Sequence, residues 1–227
     1  MASRTRHTER REDALSRERI VEAAVELLDA DGEGGLTFRA LGAQLKTGPG
    51  AIYWHVANKH ELLAAATDSV LAGLLAADPA GATPQDAVRS VALGVFDAID
   101  EHPWIGTQLS RLASQSATLR LFERLGRQLQ ALGVPDAAQF DSASALLNYI
   151  LGVAGQNAAN ARAQEPGTSR SDVLGAESAL WASLDPAEFP FIRNVADQLR
   201  EHDDRAQFLA GVDLILAGIT ALGRGVA

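Results

Sequence analysis

Apolar residues recur every three to four positions along most of this chain, a period that predicts helices rather than half-buried strands. In "SRERIVEAAVELLDADG", Ile20, Ala23, Ala24, Leu27 and Leu28 fall on one side of such a helix. Ser16 is placed to cap it, Leu15 and Ile20 have the spacing of a hydrophobic staple, and the glycines of "DADGEGG" are expected to end it. A shorter second helix is predicted after Thr37, a good cap, with Leu36 and Leu41 as its staple and Phe38, Leu41 and Leu45 as its apolar positions. "KTGPG" then interrupts the pattern. Pro49 suits a first helical position because it has no N–H to satisfy, so a third helix of roughly seven residues is expected there. Asn58 and Glu61 have the spacing of a capping box that opens a longer fourth helix.

Beyond "DPAGATP" the same period predicts helices over residues 84–101, 103–110, 117–133, 136–163, 172–182, 186–201 and 204–222. β-Branched residues are sparse in these stretches and polarity does not alternate, which argues against sheets. "AQEPGTSRSD" reads as a polar loop. The fold class is therefore all-α. Residues 1–14 form a basic arm expected to be disordered, residues 15–61 a three-helix unit, and residues 62–227 a larger helical body entered through the long fourth helix.

Composition narrows the functional classes. With 227 residues, 47% of them hydrophobic, the chain can bury a sizeable core. The absence of cysteine excludes disulfides, thiolate metal sites and thiol chemistry. No signal-peptide pattern is visible near the N-terminus, so a cytoplasmic location is expected. The run "LLAAATDSVLAGLLAA" is broken by Asp68 and falls short of a bilayer span, so no membrane role is expected. The net charge of −9 is uneven: residues 62–227 carry eleven Lys/Arg against nineteen Asp/Glu, whereas residues 1–61 carry nine against ten. Within the latter, "MASRTRHTERR" has four arginines and one glutamate, a local field suited to nucleic acid.

Two short helices joined by a tight glycine-containing turn and braced on a longer one are the parts of a helix-turn-helix reader, whose second short helix enters a major groove. A purely structural three-helix bundle has the same composition. The motifs sharpen the choice. "IVEAAVELLDADGEGGLTFRALGAQLKTGPGAIYWHVANKHELLAAA" resembles the DNA-binding domain of the TetR family of bacterial transcriptional repressors. "LTFRALGAQL" followed by "AIYWHVANKHELL" is similar to the tetracycline-repressor branch, whose signature carries Tyr-Trp-His on the recognition helix and then Asn-Lys.

That resemblance implies operator contacts from Thr37 and Arg39 on the second helix, with Thr47, Gly48, Pro49, Gly50 and Ala51 presenting a small surface to the groove. Tyr53, His55 and Lys59 are implied as phosphate contacts. Gly48, Pro49, Gly50 and Ala51 replace the Glu, Gln, Pro and Thr of the tetracycline-repressor signature, so a different operator is expected. Trp54, by the size of its indole, is expected as a wedge between recognition helix and core.

The remainder is similar to the tetracycline-repressor type of C-terminal domain through "ALLNYILGVAGQNAA" and "FLAGVDLILAGI". The resemblance implies a homodimer whose four-helix interface uses the Leu/Ile/Val side of 208–219 with part of 143–160, and a palindromic double-stranded operator. Taken without the family, the last apolar helix serves equally well as an internal core element. A small-molecule effector would be held among Trp104, Gln108, Leu109, Phe122, Leu125, Leu147, Tyr149, Leu151 and Gln156, apolar walls with a few polar groups. The family's drug-and-magnesium ligands and drug-binding residues correspond here to about Leu109, Gln156, Leu75 and Val91, so no metal and no cofactor are expected. None of the five histidines forms an HExxH pair, and neither a G-x-S-x-G elbow nor a G-x-G-x-x-G loop is present, so the chain is not expected to be an enzyme. A helical ligand-binding or interaction protein without sequence-specific DNA binding remains the alternative.

Overall fold

The computed structural model describes residues 15–76, 82–110, 116–163 and 169–224, and every regular element among them is a helix. In chain order these are α1 (Arg17–Gly35), α2 (Phe38–Gln44), α3 (Pro49–Tyr53), α4 (Lys59–Ala76), α5 (Pro84–Glu101), α6 (Trp104–Ser110), α7 (Ser116–Ala131), α8 (Asp136–Ala163), α9 (Arg170–Ser183), α10 (Pro190–Arg200) and α11 (Asp204–Arg224). The basic arm and residues 164–168 of the polar loop read from "AQEPGTSRSD" lie outside the described residues, while Arg170 to Asp172, expected in that loop, form the first turn of α9 behind the Ser169 cap.

Local sequence explains most of the boundaries. Ser16 caps α1 by accepting from the Arg19 amide at 3.2 Å, and Thr37 caps α2 by accepting from Ala40 at 3.1 Å. The staple residues Leu36 and Leu41 are both buried. Asn58 accepts from the Glu61 amide at 2.9 Å, but Glu61 returns its Oε2 to Ala57, one residue earlier than a capping box requires, while its Oε1 pairs with Arg17 at 3.0 Å. The first helix ends among its glycines as expected, but in two steps. Gly32 takes φ 64°, which L side chains resist, so the helix kinks there and adds a last turn through Gly35. The third helix has five residues rather than seven, because Ile52 and Val56 both turn into the core and His55 closes a tight turn onto the Ile52 carbonyl at 2.9 Å. The tenth begins at Pro190, later than expected, because Asp185 organises residues 185–189 as a turn.

In the body, α8 is flanked by α5, α6, α7 and α11, and α4 links this group to α1. One continuous buried cluster runs from Ile20 and Leu41 through Leu62, Val91 and Leu125 to Ile150, Phe208 and Ile219. α9 and α10 pack mainly on each other as a hairpin. Arg205 forks onto both Asp97 oxygens at 3.2 and 3.0 Å, and Arg89 reaches Asp213 at 2.7 Å, fixing α11 in register with α5. These pairs are solvated, so they set geometry more than they stabilise the fold. Residues 204–223 are long and apolar enough, by length and composition, to cross a bilayer. No other described helix is. Its Phe208, Val212, Leu216 and Ile219 instead join the core of this chain.

Candidate nucleic-acid interface and regulatory cavity

α2 and α3 meet at a turn that depends on Gly42. A Cβ at that position would lie 2.8 Å from the backbone oxygen of Thr47, too close for any other residue without a shift of the chain. The Thr47 amide in turn donates to the Gly42 carbonyl at 2.9 Å, and Lys46 carries the turn at φ 53°. Leu41, Gly42 and Ile52 are buried, which anchors α3 although five residues cannot hold a helix in water. Of the residues implied as operator contacts, Thr37, Arg39, Gly48, Pro49, Gly50 and Tyr53 are exposed, as is Trp54, with Thr47, Ala51, His55 and Lys59 partly covered.

Three of these positions have features the sequence did not reveal. Tyr53 stacks on Phe38 with ring centroids 4.3 Å apart and planes within 9°, so α2 and α3 are joined by an aromatic pair at the surface. Trp54 is not a wedge: it is 90% exposed, and Ile52 takes the buried place instead. The reason is register. Residue 54 follows α3 at its C-cap, while residues 52 and 56 point inward. The Lys59 ammonium donates to the Glu33 carbonyl in the last turn of α1. An ammonium has three donors, so a phosphate oxygen can share it.

The body residues singled out from sequence fall into three places. Trp104, Gln108 and Leu109 lie buried on α6, where the polar groups face α1: Trp104 Nε1 donates to Asp29 Oδ1 at 2.8 Å, and Gln108 Nε2 donates to the Glu33 carboxylate. His102 Nδ1 lies 2.8 Å from the same Asp29 oxygen. Leu125 is in the core, with Leu147 and Leu151 packed against it, while Phe122 meets Phe140 edge-on at 5.9 Å. Tyr149 and Gln156 line a groove of about 1190 Å³ between α8, α11 and the α9–α10 hairpin. Burial raises the Tyr149 hydroxyl above its ordinary value, and that hydroxyl donates to the Phe208 carbonyl at 3.2 Å. Among the described residues no group of three or more His, Cys, Asp or Glu could hold a metal ion.

On α11, the side expected to pair across a dimer is partly spent internally on Val212, Leu216 and Ile219. Outward it presents Leu214, 75% exposed, with Ala210, Ala217, Gly218, Ala221 and Leu222. α8 likewise exposes Ala145, Asn148, Gly152 and Ala159 at helical spacing.

Comparison with known proteins matches both parts of the chain. The family model for bacterial regulatory proteins of the tetR family covers residues 20–66, and that for the tetracyclin repressor-like C-terminal domain covers residues 78–222. The solved structure of SCO7222, a TetR transcriptional regulator from Streptomyces coelicolor, is 57% identical and superposes with a TM-score of 0.84, covering 92% of this chain and 100% of that one. An HTH-type transcriptional regulator of Saccharopolyspora erythraea is 29% identical over 91% of this chain and 85% of its own length. The class D tetracycline repressor protein of Escherichia coli is 45% identical over 58 residues, covering 26% of this chain and 27% of that one.

Proposed function

Because this chain belongs to the TetR family of bacterial regulatory proteins, whose members bind DNA as transcriptional regulators, we propose that it is a homodimeric repressor that reads a palindromic operator and is released from it by a small molecule. The observation that carries this reading is the division of α2 and α3 into a hidden set, Leu41, Gly42 and Ile52, and an exposed set containing Thr37, Arg39, Tyr53 and Trp54. Arg39 reads a base edge, the small residues Thr47 to Ala51 allow close approach to the groove, and Tyr53, His55 and Lys59 hold phosphates. Residues 15–61 act as the reading head and residues 62–227 as the effector-binding and dimerisation body.

The dimer is supported by α11, which is long and apolar enough to span a bilayer yet, among its described residues, buries only Phe208, Val212, Leu216 and Ile219 in its own core, and by the small exposed residues that allow a second copy to approach. Effector control is supported by the groove at Tyr149 and Gln156. Leu109 and Gln156 lack the hard ligands a magnesium chelate needs, so release proceeds without divalent metal.

Selection from random duplexes followed by anisotropy titration tests the DNA reading. Arg39→Ala lowers discrimination at one base pair by about 1–3 kcal/mol. Lys59→Ala weakens all sequences alike and reduces the salt slope by about one. A chain that sediments as a monomer and selects no sequence refutes the proposal.

A further inference from the structure

α2 opens directly on its cap. Thr37 Oγ1 accepts from the Ala40 amide at 3.1 Å, so Phe38 is the first helical residue and its backbone is held by the capped turn. Its side chain packs against the core cluster and also carries Tyr53 of α3, with ring centroids 4.3 Å apart and planes within 9°. Tyr53 nevertheless stays 54% exposed. α3 is already anchored by Ile52, which is fully buried, so the stack is not what holds that helix to the head. In the chain Phe38 lies between Thr37 and Arg39, both exposed, and the sequence marks it only as an apolar position of the second helix.

An exposed tyrosine samples several side-chain rotamers, of which only some direct the hydroxyl at a given phosphate. A ring already held against a flat partner has lost that freedom before DNA arrives, so less is lost on binding. An aromatic side chain offers such a face, whereas leucine fills part of the same space without a plane. We propose that Phe38 is a positioning residue for DNA binding, which acts by holding the Tyr53 ring so that its hydroxyl meets a phosphate. This rests on the reading that residues 15–61 bind DNA with Tyr53 on the backbone, and it adds the residue that orients that contact.

A double-mutant cycle in DNA affinity tests it, on the full chain and a duplex that the native protein selects from random sequence. Phe38→Leu weakens binding about three- to tenfold, the effect of freeing one ordered side chain. Tyr53→Phe keeps the stack, deletes the hydroxyl and weakens binding by about the same factor. In the Tyr53→Phe chain the Phe38→Leu change costs less than about twofold, because the ring it orients no longer carries the contact. Phe38→Tyr, which restores a flat face, stays within about twofold of the native chain. Two further readouts separate orientation from a displaced α2. The phenol is uncharged, so Phe38→Leu leaves the salt dependence of binding unchanged, and it leaves the preference for the selected base pairs unchanged because Arg39 has not moved.

Losses that add in the double variant, a Tyr53→Phe or Phe38→Leu chain that binds like the native one, or a Phe38→Tyr chain as weak as Phe38→Leu each overturn the proposal. A change in base preference or salt dependence in Phe38→Leu does the same. Circular dichroism verifies folding, and Phe38→Met replaces Phe38→Leu if the latter does not fold; failure of both makes Phe38 a structural residue and also overturns the proposal. A native chain that selects no duplex refutes the DNA reading itself and this inference with it, whereas additive losses on a selected duplex remove only the role of Phe38.

Discussion

Replacing Asp29 by alanine tests the junction between α1 and α6. Asp29 Oδ1 accepts from Trp104 Nε1 and lies within hydrogen-bond distance of His102 Nδ1, each at 2.8 Å. The two losses differ in size. Trp104 is 5% exposed, so its indole N–H loses its acceptor where water reaches poorly, at a cost of about 1–3 kcal/mol. His102 is partly open to solvent, so water replaces much of what it loses and the cost stays below about 1 kcal/mol. The sum is about 1–4 kcal/mol, which for a chain of this length lowers the melting temperature by roughly 2–16 °C. Urea denaturation of the native protein, Asp29→Ala, Trp104→Phe and the double variant isolates the indole bond. Once Trp104→Phe has removed the donor, the Asp29 change costs less, and the cycle closes with a coupling of about 1–2 kcal/mol. Additive losses, or an Asp29→Ala variant within about 0.5 kcal/mol of the native protein, would refute the argument that this carboxylate matters through the buried indole.

Gly42→Ala places a methyl group against the Thr47 oxygen, so stability falls by about 1–3 kcal/mol and operator binding falls with it, as melting and anisotropy will show. Ile52→Ala removes a fully buried side chain and costs about 2–5 kcal/mol, whereas Trp54→Ala leaves the urea midpoint within about 0.5 kcal/mol while weakening DNA binding. The raised titration of Tyr149 stabilises the fold below its ordinary value of 10.0, and this contribution disappears as pH rises through the higher folded value; Tyr149→Phe therefore flattens the alkaline limb of a stability–pH profile measured by urea unfolding.

Much of the helical order was legible because it rests on contacts within a few residues. Ser16, Thr37 and Asn58 cap where their spacing predicts, and α5 and α8 run over the residues that their period marks. What escaped the sequence depends on distant partners or on which side of a helix is already occupied. Trp54 has a bulk that favours burial, but its neighbours Ile52 and Val56 already fill the inward positions. Trp104 and Gln108 combine apolar surface with hydrogen-bonding groups, as a ligand wall would, and only the position of α1 shows that their polar atoms are engaged by Asp29 and Glu33, some 75 residues away in the chain. The exposed stripe on α11 was hidden by the opposite ambiguity, since an apolar helix has the same period whether it faces its own core or another chain.

Glu33 has a mechanical consequence. The kink at Gly32 sets it in the last turn of α1, where its carbonyl holds Lys59 at the start of α4 and its carboxylate holds Gln108 on α6. One residue is thus the shared axle of three bodies. The bond to α4 uses the backbone of that residue and the bond to α6 its side chain, so the two joints share one turn of α1, just beside the start of the helix that follows α3.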